Sequence, residues 1–309
     1  MNKLKNIFTI ILLSIIIYIL FKYNSILNTS VIDAVNLWII KVFPSLFIMF
    51  IINDIIINTN ILNHLTKIIN PIFNKIFNTT GNSSEVFLLS IFSGTPSSAF
   101  IIKEMLTNNK ITFESANKLI SFTYFSNPLF LYNILNATFN KHITFKIILI
   151  HYLSNLIIGL FFRKTNYENN NCLKNNNNAN RNIFLLLPNS IKKSINTLLM
   201  ILGTITFYMI ITNIIINIFN IPPIFDILIK GILEITQSLN ILNTLKITSI
   251  IKEIIALAII SFGGLSIHTQ IISLISDTKI SYKNFFIGRI LHVLISTNAY
   301  LLISLCTTC

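Results

Sequence analysis

The residues best placed to do chemistry in this 309-residue chain sit where apolar segments are interrupted. Gly94 and Pro96, in SIFSGTPSSAFIIKEML, break one such segment; Gly263 and Gly264, in AIISFGGLSIHTQIISLI, break another. Ser93, Thr95, Ser97, Ser98, Ser261, Ser266 and Thr269 place hydroxyls around the two breaks. An interrupted helix inside a membrane frees backbone N–H and C=O groups that need partners. Its half-helix ends focus partial charge on whatever lies between them. That chemistry suits a pocket for a small polar solute; the competing reading is close helix packing through small residues. Ser126-Asn127-Pro128 makes a third break. Asn127 has donors and an acceptor suited to a base edge, an amide or a sugar hydroxyl, or it satisfies only the carbonyls that Pro128 frees.

Ionisable residues inside apolar segments are costly and point to function by default. Glu234, His268, Arg289 and His292 are of this kind, and Glu234 is expected to pair with His268 or Arg289. Lys41 and Glu253 lie nearer segment ends, where long side chains snorkel. Lys103 and Glu104 read as a solvated face. The chain has no phosphate loop, metalloprotease helix, nucleophile elbow or dinucleotide fingerprint, so no enzyme is expected. Cys172, Cys306 and Cys309 form no metal set. Neither a metal nor a cofactor is called for.

The elements that must position these residues belong to a membrane. The chain is 53% hydrophobic and 11% charged, with a mean hydropathy of +0.73; a soluble domain carries roughly 25% charged residues. Several apolar stretches reach the roughly 20 residues that cross a bilayer. The net charge of +13 is spread between those stretches, which reads as topology and anionic lipid rather than nucleic acid. Residues 1–30 are expected to hold a retained first helix over Asn6–Tyr23. A polar, Asn-rich linker over 164–189 then separates two halves, 31–163 and 190–309.

The halves resemble each other. Phe92-Ser93-Gly94 overlays Phe262-Gly263-Gly264, the turn at Lys110 overlays that at Lys279, and Ala34–Thr59 overlays Ser194–Phe219. Chance similarity in Ile-rich sequence is the alternative. Lys3 and Lys5 favour a cytoplasmic N-terminus, and Arg163, Lys164, Lys192 and Lys193 a cytoplasmic linker. Counting each apolar segment as one crossing puts the linker outside, so one segment is expected to be re-entrant, the two broken ones first. That change of parity makes the halves inverted. The expected architecture is therefore all-α and polytopic, with about eight transmembrane segments, an inverted repeat, and interrupted or re-entrant helices.

Two sets of runs carry a family resemblance. GILEITQSLN and SFGGLSIHTQ in the second half, with KVFPSLFIMF, FSGTPSSAF and FTYFSNPLF in the first, resemble the YlbJ family of sporulation integral membrane proteins. That family is grouped with nucleoside-recognition, or Gate, domains. The resemblance covers about Val31 to Ser304. It implies a membrane protein of a spore-forming bacterium, in the mother-cell or forespore membrane; with the pocket at the breaks, the expected function is to move a small polar or nucleoside-like solute. The alternative is a non-transporting protein that organises the spore envelope through partners. Lipid and the solute are the expected partners, with a homo-oligomer as a further one. The breaks, the ionisable residues and the matching motifs together give the candidate site residues Gly94, Pro96, Ser97, Asn127, Pro128, Glu234, Thr236, Gly263, Gly264, His268, Gln270 and Arg289. In the first half Ser98 and Phe100 replace a glycine and a lysine usual in the family, so the second half keeps the fuller pattern.

Overall fold

A computed structural model describes residues 14, 17–19, 21–59, 61–164, 183–219 and 221–308. The expected first helix, Asn6–Tyr23, falls largely outside the described residues, as does most of the linker. All regular elements among the described residues are helical.

The frame is a pair of very long helices. α1 (Asn24–Leu37), a π-helical turn (Trp38–Val42) and α2 (Phe43–Thr59) follow one another without a gap. α9 (Ile183–Phe219) has 37 residues. At 1.5 Å per residue that is about 55 Å, well beyond the roughly 30 Å hydrocarbon core. The two rods pack antiparallel: Asn213 Nδ2 donates to Ser30 Oγ (2.8 Å), Trp38 Nε1 to the Leu198 carbonyl (3.1 Å), and Ser190 Oγ to Asp54. These are the two segments whose sequences match.

α3 (Asn63–Phe77) ends at Asn78 in the left-handed region, a conformation asparagine tolerates at a helix C-terminus. It docks Phe73 and Phe77 against Phe122, with the Phe77 and Phe122 rings stacked at 4.8 Å. The turn before it and its other face expose Ile61, Leu65, Ile68, Ile72 and Ile76. Those positions recur every three or four residues, so a single apolar stripe faces outward, as expected for a helix at a lipid interface.

Next come two different kinds of broken helix. α4 (Ser83–Ser93) and α5 (Ser97–Thr107) pack against each other as a hairpin, its base closed by the Asn82 N–H on the Lys110 carbonyl (3.0 Å). Each limb has 11 residues, about 16 Å of helix, too short to cross a bilayer. The hairpin must enter and leave on one side. α6 (Phe113–Phe122) and α7 (Pro128–Asn136) instead form one span interrupted over residues 123–127. Thr112 caps α6, its hydroxyl accepting from the Ser115 N–H (3.2 Å), which holds one of the free first-turn donors. α8 (Lys141–Phe162) returns across the membrane.

The second half repeats both kinds. α10 (Pro223–Leu233) and α11 (Ile235–Ile241) form a hairpin, with Ser238 Oγ donating across to the Ile227 carbonyl (2.9 Å). α12 (Ser249–Phe262) and α13 (Gly264–Ile275) form an interrupted span, and α14 (Tyr282–Thr308) closes the chain. The broken segment at Gly94 is therefore re-entrant, whereas the one at Gly263 lies in a helix that crosses. The re-entrant piece of the second half is Pro223–Ile241 instead. Its reversal at Glu234 carries neither glycine nor proline, which is why sequence spacing pairs Gly94 with Gly263.

Five helical stretches among the described residues are long and apolar enough to span a membrane: Asn24–Val42, Lys141–Phe162, Ile183–Phe219, Ser249–Ile275 and Tyr282–Cys306. The expected total of about eight also counted the first helix, which lies outside the described residues, the segment broken at Gly94 and the segment interrupted over residues 123–127. One face of the frame collects the charge. Lys193 Nζ bridges Asp54 (3.1 Å) and Glu104 (3.0 Å), Lys103 pairs with Asp277 (2.7 Å), and Asn78 Nδ2 reaches the Arg163 carbonyl. Lys103 and Glu104 thus tie the first hairpin to the second half, where sequence alone reads a solvated surface. Asp277, in the turn before α14, is held below the ordinary carboxylate range by the hydrogen bond and charge of Lys103.

Candidate functional site: a cavity where four breaks meet

Each hairpin turn lies on an interruption. In the first half the Thr95 N–H donates to the Phe125 carbonyl (2.7 Å), and Asn127 Nδ2 donates to the Phe92 carbonyl (3.2 Å). Gly94 sits at φ +73°, and any Cβ there would overlap the Asn127 backbone nitrogen. Asn127 Oδ1 also accepts from the Leu129 and Phe130 N–H groups (3.0 and 3.1 Å). With Pro128 at the first helical position it starts α7 in the favoured way. The Tyr152 hydroxyl of α8 lies within hydrogen-bond distance of both partners of the crossing, the Ile91 and Ser126 carbonyls (3.2 and 2.9 Å).

In the second half Glu234 caps α11, its Oε2 accepting from the Thr236 and Gln237 N–H groups (2.9 and 3.2 Å) and from the Thr236 hydroxyl. Gly264 faces this turn, where a Cβ would stand 3.3 Å from the Leu233 carbonyl oxygen. The two halves touch at Gly263 (φ +89°), whose missing Cβ leaves room for the Tyr124 hydroxyl. Four breaks therefore stack through the middle of the molecule.

They enclose a cavity of about 70 Å³. Thr95 and Pro96 come from the first hairpin turn, Ser126 and Asn127 from the first interruption, Glu234, Ile235 and Thr236 from the second hairpin turn, and Ser266 and Gln270 from the start of α13. The long rods close it with Lys41 from the π-helical turn and with Ile201 and Ile205. The wall is mostly apolar surface, with Asn127, Gln270, Glu234, Lys41 and several hydroxyl-bearing residues set around it. Gln270 Nε2 is held by Thr204 Oγ1 (2.9 Å). The Ser266 and Ser97 hydroxyls are buried with no hydrogen-bond partner among the described residues.

Of the residues singled out from sequence, Pro96, Asn127, Glu234, Thr236 and Gln270 line this cavity. Gly94, Gly263 and Gly264 allow the close crossings around it, Ser97 opens α5 beside it, and Pro128 opens α7. His268 and Arg289 are elsewhere. His268 is bonded to the Tyr282 hydroxyl (2.8 Å) and the Phe262 carbonyl (3.1 Å). Neither pairs with Glu234, because the carboxylate is already taken by the N-terminus of its own half-helix.

Arg289 is fully buried behind the first interruption. Its Nη atoms reach His292 Nδ1 (2.8 Å), the Ser121 carbonyl (2.8 Å) and Asn155 Oδ1 (3.2 Å), and its guanidinium lies 4.0 Å from the Tyr124 ring centroid. His292 continues to the His151 carbonyl, while His151 Nε2 accepts the Ser126 N–H (3.2 Å). This polar layer braces the unwound segment whose far side is cavity wall. His151 and Asn155 were missed from sequence, though two polar residues four apart in the apolar run HYLSNL would place them on one helix face. Among the described residues no three His, Cys, Asp or Glu side chains gather as a metal site.

Re-entrant hairpins seated on interrupted spans, around a central cavity, define a polytopic all-α integral membrane protein of the broken-helix type. Within that class, the chain is similar to the sporulation integral membrane protein YlbJ of Bacillus subtilis (strain 168). The two are 26% identical over 296 residues, covering 84% of this chain and 72% of that protein. The resemblance read from the sequence is borne out over most of the chain, and it supports the coarser reading, a multi-pass membrane protein of sporulation. No family model matches the chain, and no solved structure does.

Proposed function

We propose that the chain is a non-enzymatic transport protein of the sporulating cell, moving a small polar or nucleoside-like solute through the central cavity. One observation carries this reading: residues from all four breaks converge on one central cavity, beside which the Ser266 hydroxyl is buried with no hydrogen-bond partner among the described residues. The antiparallel packing of the two matching rods supports an inverted repeat, the arrangement that alternating access uses. A cavity of about 70 Å³ has room for a few waters and lies well below the roughly 300 Å³ lower bound of drug-sized sites. On this reading the hairpins part to admit the solute and close over it.

The test has two stages. Purified protein is screened by thermal shift against nucleosides, metal ions and small metabolites, where a specific ligand raises the midpoint by mass action. Uptake of any hit is then measured in proteoliposomes for the wild type, Glu234→Gln and Gln270→Leu. Uptake reduced on the order of tenfold in correctly folded variants is expected from the loss of a buried polar contact. Unchanged uptake in both would reject the cavity as the path. An empty screen would favour the envelope-organising alternative.

A further inference from the structure

A second concavity lies far from the central cavity, at the membrane face opposite the Lys193–Asp54 cluster. It is bounded by the N-terminal turns of α8 and α12 and the C-terminal part of α14, with a volume of about 810 Å³. Its floor is a closed polar set. Glu253 of α12 is 5% exposed and accepts from the Ser249 hydroxyl (2.6 Å) and the Tyr300 hydroxyl. Above it, Lys146 Nζ lies 4.2 Å from the centroid of the Tyr300 ring.

Among the described residues no carboxylate comes within ion-pair distance of Lys146. Glu253 is satisfied from within, so the cation on the ring is the charge this groove presents outward. His142, one turn earlier on α8, adds a second nitrogen-bearing side chain on the same rim. The side walls are apolar, and Phe145 and Leu149 are each 60% exposed.

The position of the groove determines what kind of molecule can occupy it. Lys146 is the sixth residue of a 22-residue span, about 8 Å along the helix from its start. That is the depth at which a lysine carries its ammonium to headgroup level while its stem lies in hydrocarbon. The apolar walls open sideways on spanning helices, so an occupant arrives from the bilayer rather than from water. A cationic, ring-seated rim above an apolar side wall matches an anionic head on an acyl chain.

We propose that this groove is a binding site for one anionic phospholipid, with its phosphate at Lys146 and His142 and an acyl chain along Phe145 and Leu149. The proposal is independent of the transport reading.

Native mass spectrometry of the full chain, from micelles holding equal amounts of phosphatidylglycerol and phosphatidylcholine, tests it. The wild type is expected to retain one phosphatidylglycerol with a preference on the order of tenfold, from charge at the headgroup level. Lys146→Arg keeps that preference, and Lys146→Glu reduces it to below about twofold. Leu149→Trp, which fills the wall, lowers retention of both lipids and decides the matter should Lys146→Glu fail to fold. An equal wild-type ratio for the two lipids, or a Lys146→Glu or Leu149→Trp protein that binds like wild type, overturns the site. Displacement of the lipid by millimolar inorganic phosphate would overturn it too, since it would make phosphate, not lipid, the ligand.

Discussion

The two hairpin crossings look alike in outline but are held by different forces. In the first, the chains are hydrogen-bonded backbone to backbone through Thr95 and Phe125, stitched again by Asn127, and brought to contact at Gly94. In the second, Glu234 directs its hydrogen bonds to its own half-helix, and the turn approaches Gly264 (φ +70°), where even a Cβ would be tight. A crossing stitched by directional bonds resists sliding, whereas one held by packing alone can shift without leaving a buried group unpaired. On the transport reading, the first half is the fixed jaw of the cavity and the second the jaw free to move.

The largest test of that contrast is Gly94→Ala. Its methyl meets backbone at a positive φ, and the expected cost is about 3–5 kcal/mol, at the upper end for point substitutions. A denaturation midpoint close to wild type would remove the interlock. Gly263→Ala comes next, at about 2–3 kcal/mol, with about 1 kcal/mol recovered in a Tyr124→Phe background because the Tyr124 hydroxyl is the nearest, though not the only, ring atom the methyl meets. A double-mutant cycle with no coupling would mean that the halves do not meet there.

Asn127→Ala should cost about 1–2 kcal/mol through loss of the cap and the bond to Phe92. Glu234→Gln, which keeps an acceptor for the Thr236 and Gln237 N–H groups, should cost less than about 1 kcal/mol. Reversal of that order in thermal unfolding would exchange the roles of the two jaws. The smallest effect belongs to Asp277→Asn, a few tenths of a kcal/mol for a pair with one exposed partner. Because the folded-state pKa of Asp277 is depressed, its contribution is full above the ordinary carboxylate range and fades as pH falls through it. The difference in midpoint between wild type and Asp277→Asn should therefore shrink on acidification. A constant difference would contradict the Lys103 contact.

Much of this design is legible in the sequence, for definite reasons. Glycine and proline mark three of the four breaks because Gly94, Pro96, Pro128 and Gly263 sit where an ordinary residue would clash or continue the helix. The fourth, at Glu234, turns on an extended backbone that any residue can adopt, so only its charge within GILEIT betrays it. Composition establishes the membrane, and the polar residues of the breaks supply part of the cavity wall. Spacing alone does not reveal which broken segments cross and which turn back, since that depends on limbs packing against each other. The brace behind Tyr124 was hidden for the same reason: His151, Asn155, Ser121 and Arg289 come from three helices far apart along the chain.

The π-helical turn at Trp38–Val42 has a mechanical consequence. A π turn holds one more residue than an α turn, and one residue is worth about 100° of rotation about the helix axis. It therefore acts as a phase shifter, letting Ser30 on one side and Asp54 on the other both face α9 while Lys41 is turned toward the cavity. Deleting Ile40 would straighten the turn and leave every side chain in place locally. Converting the turn to α geometry without that deletion would instead swing one end of the rod out of step with its partner by more than a quarter turn.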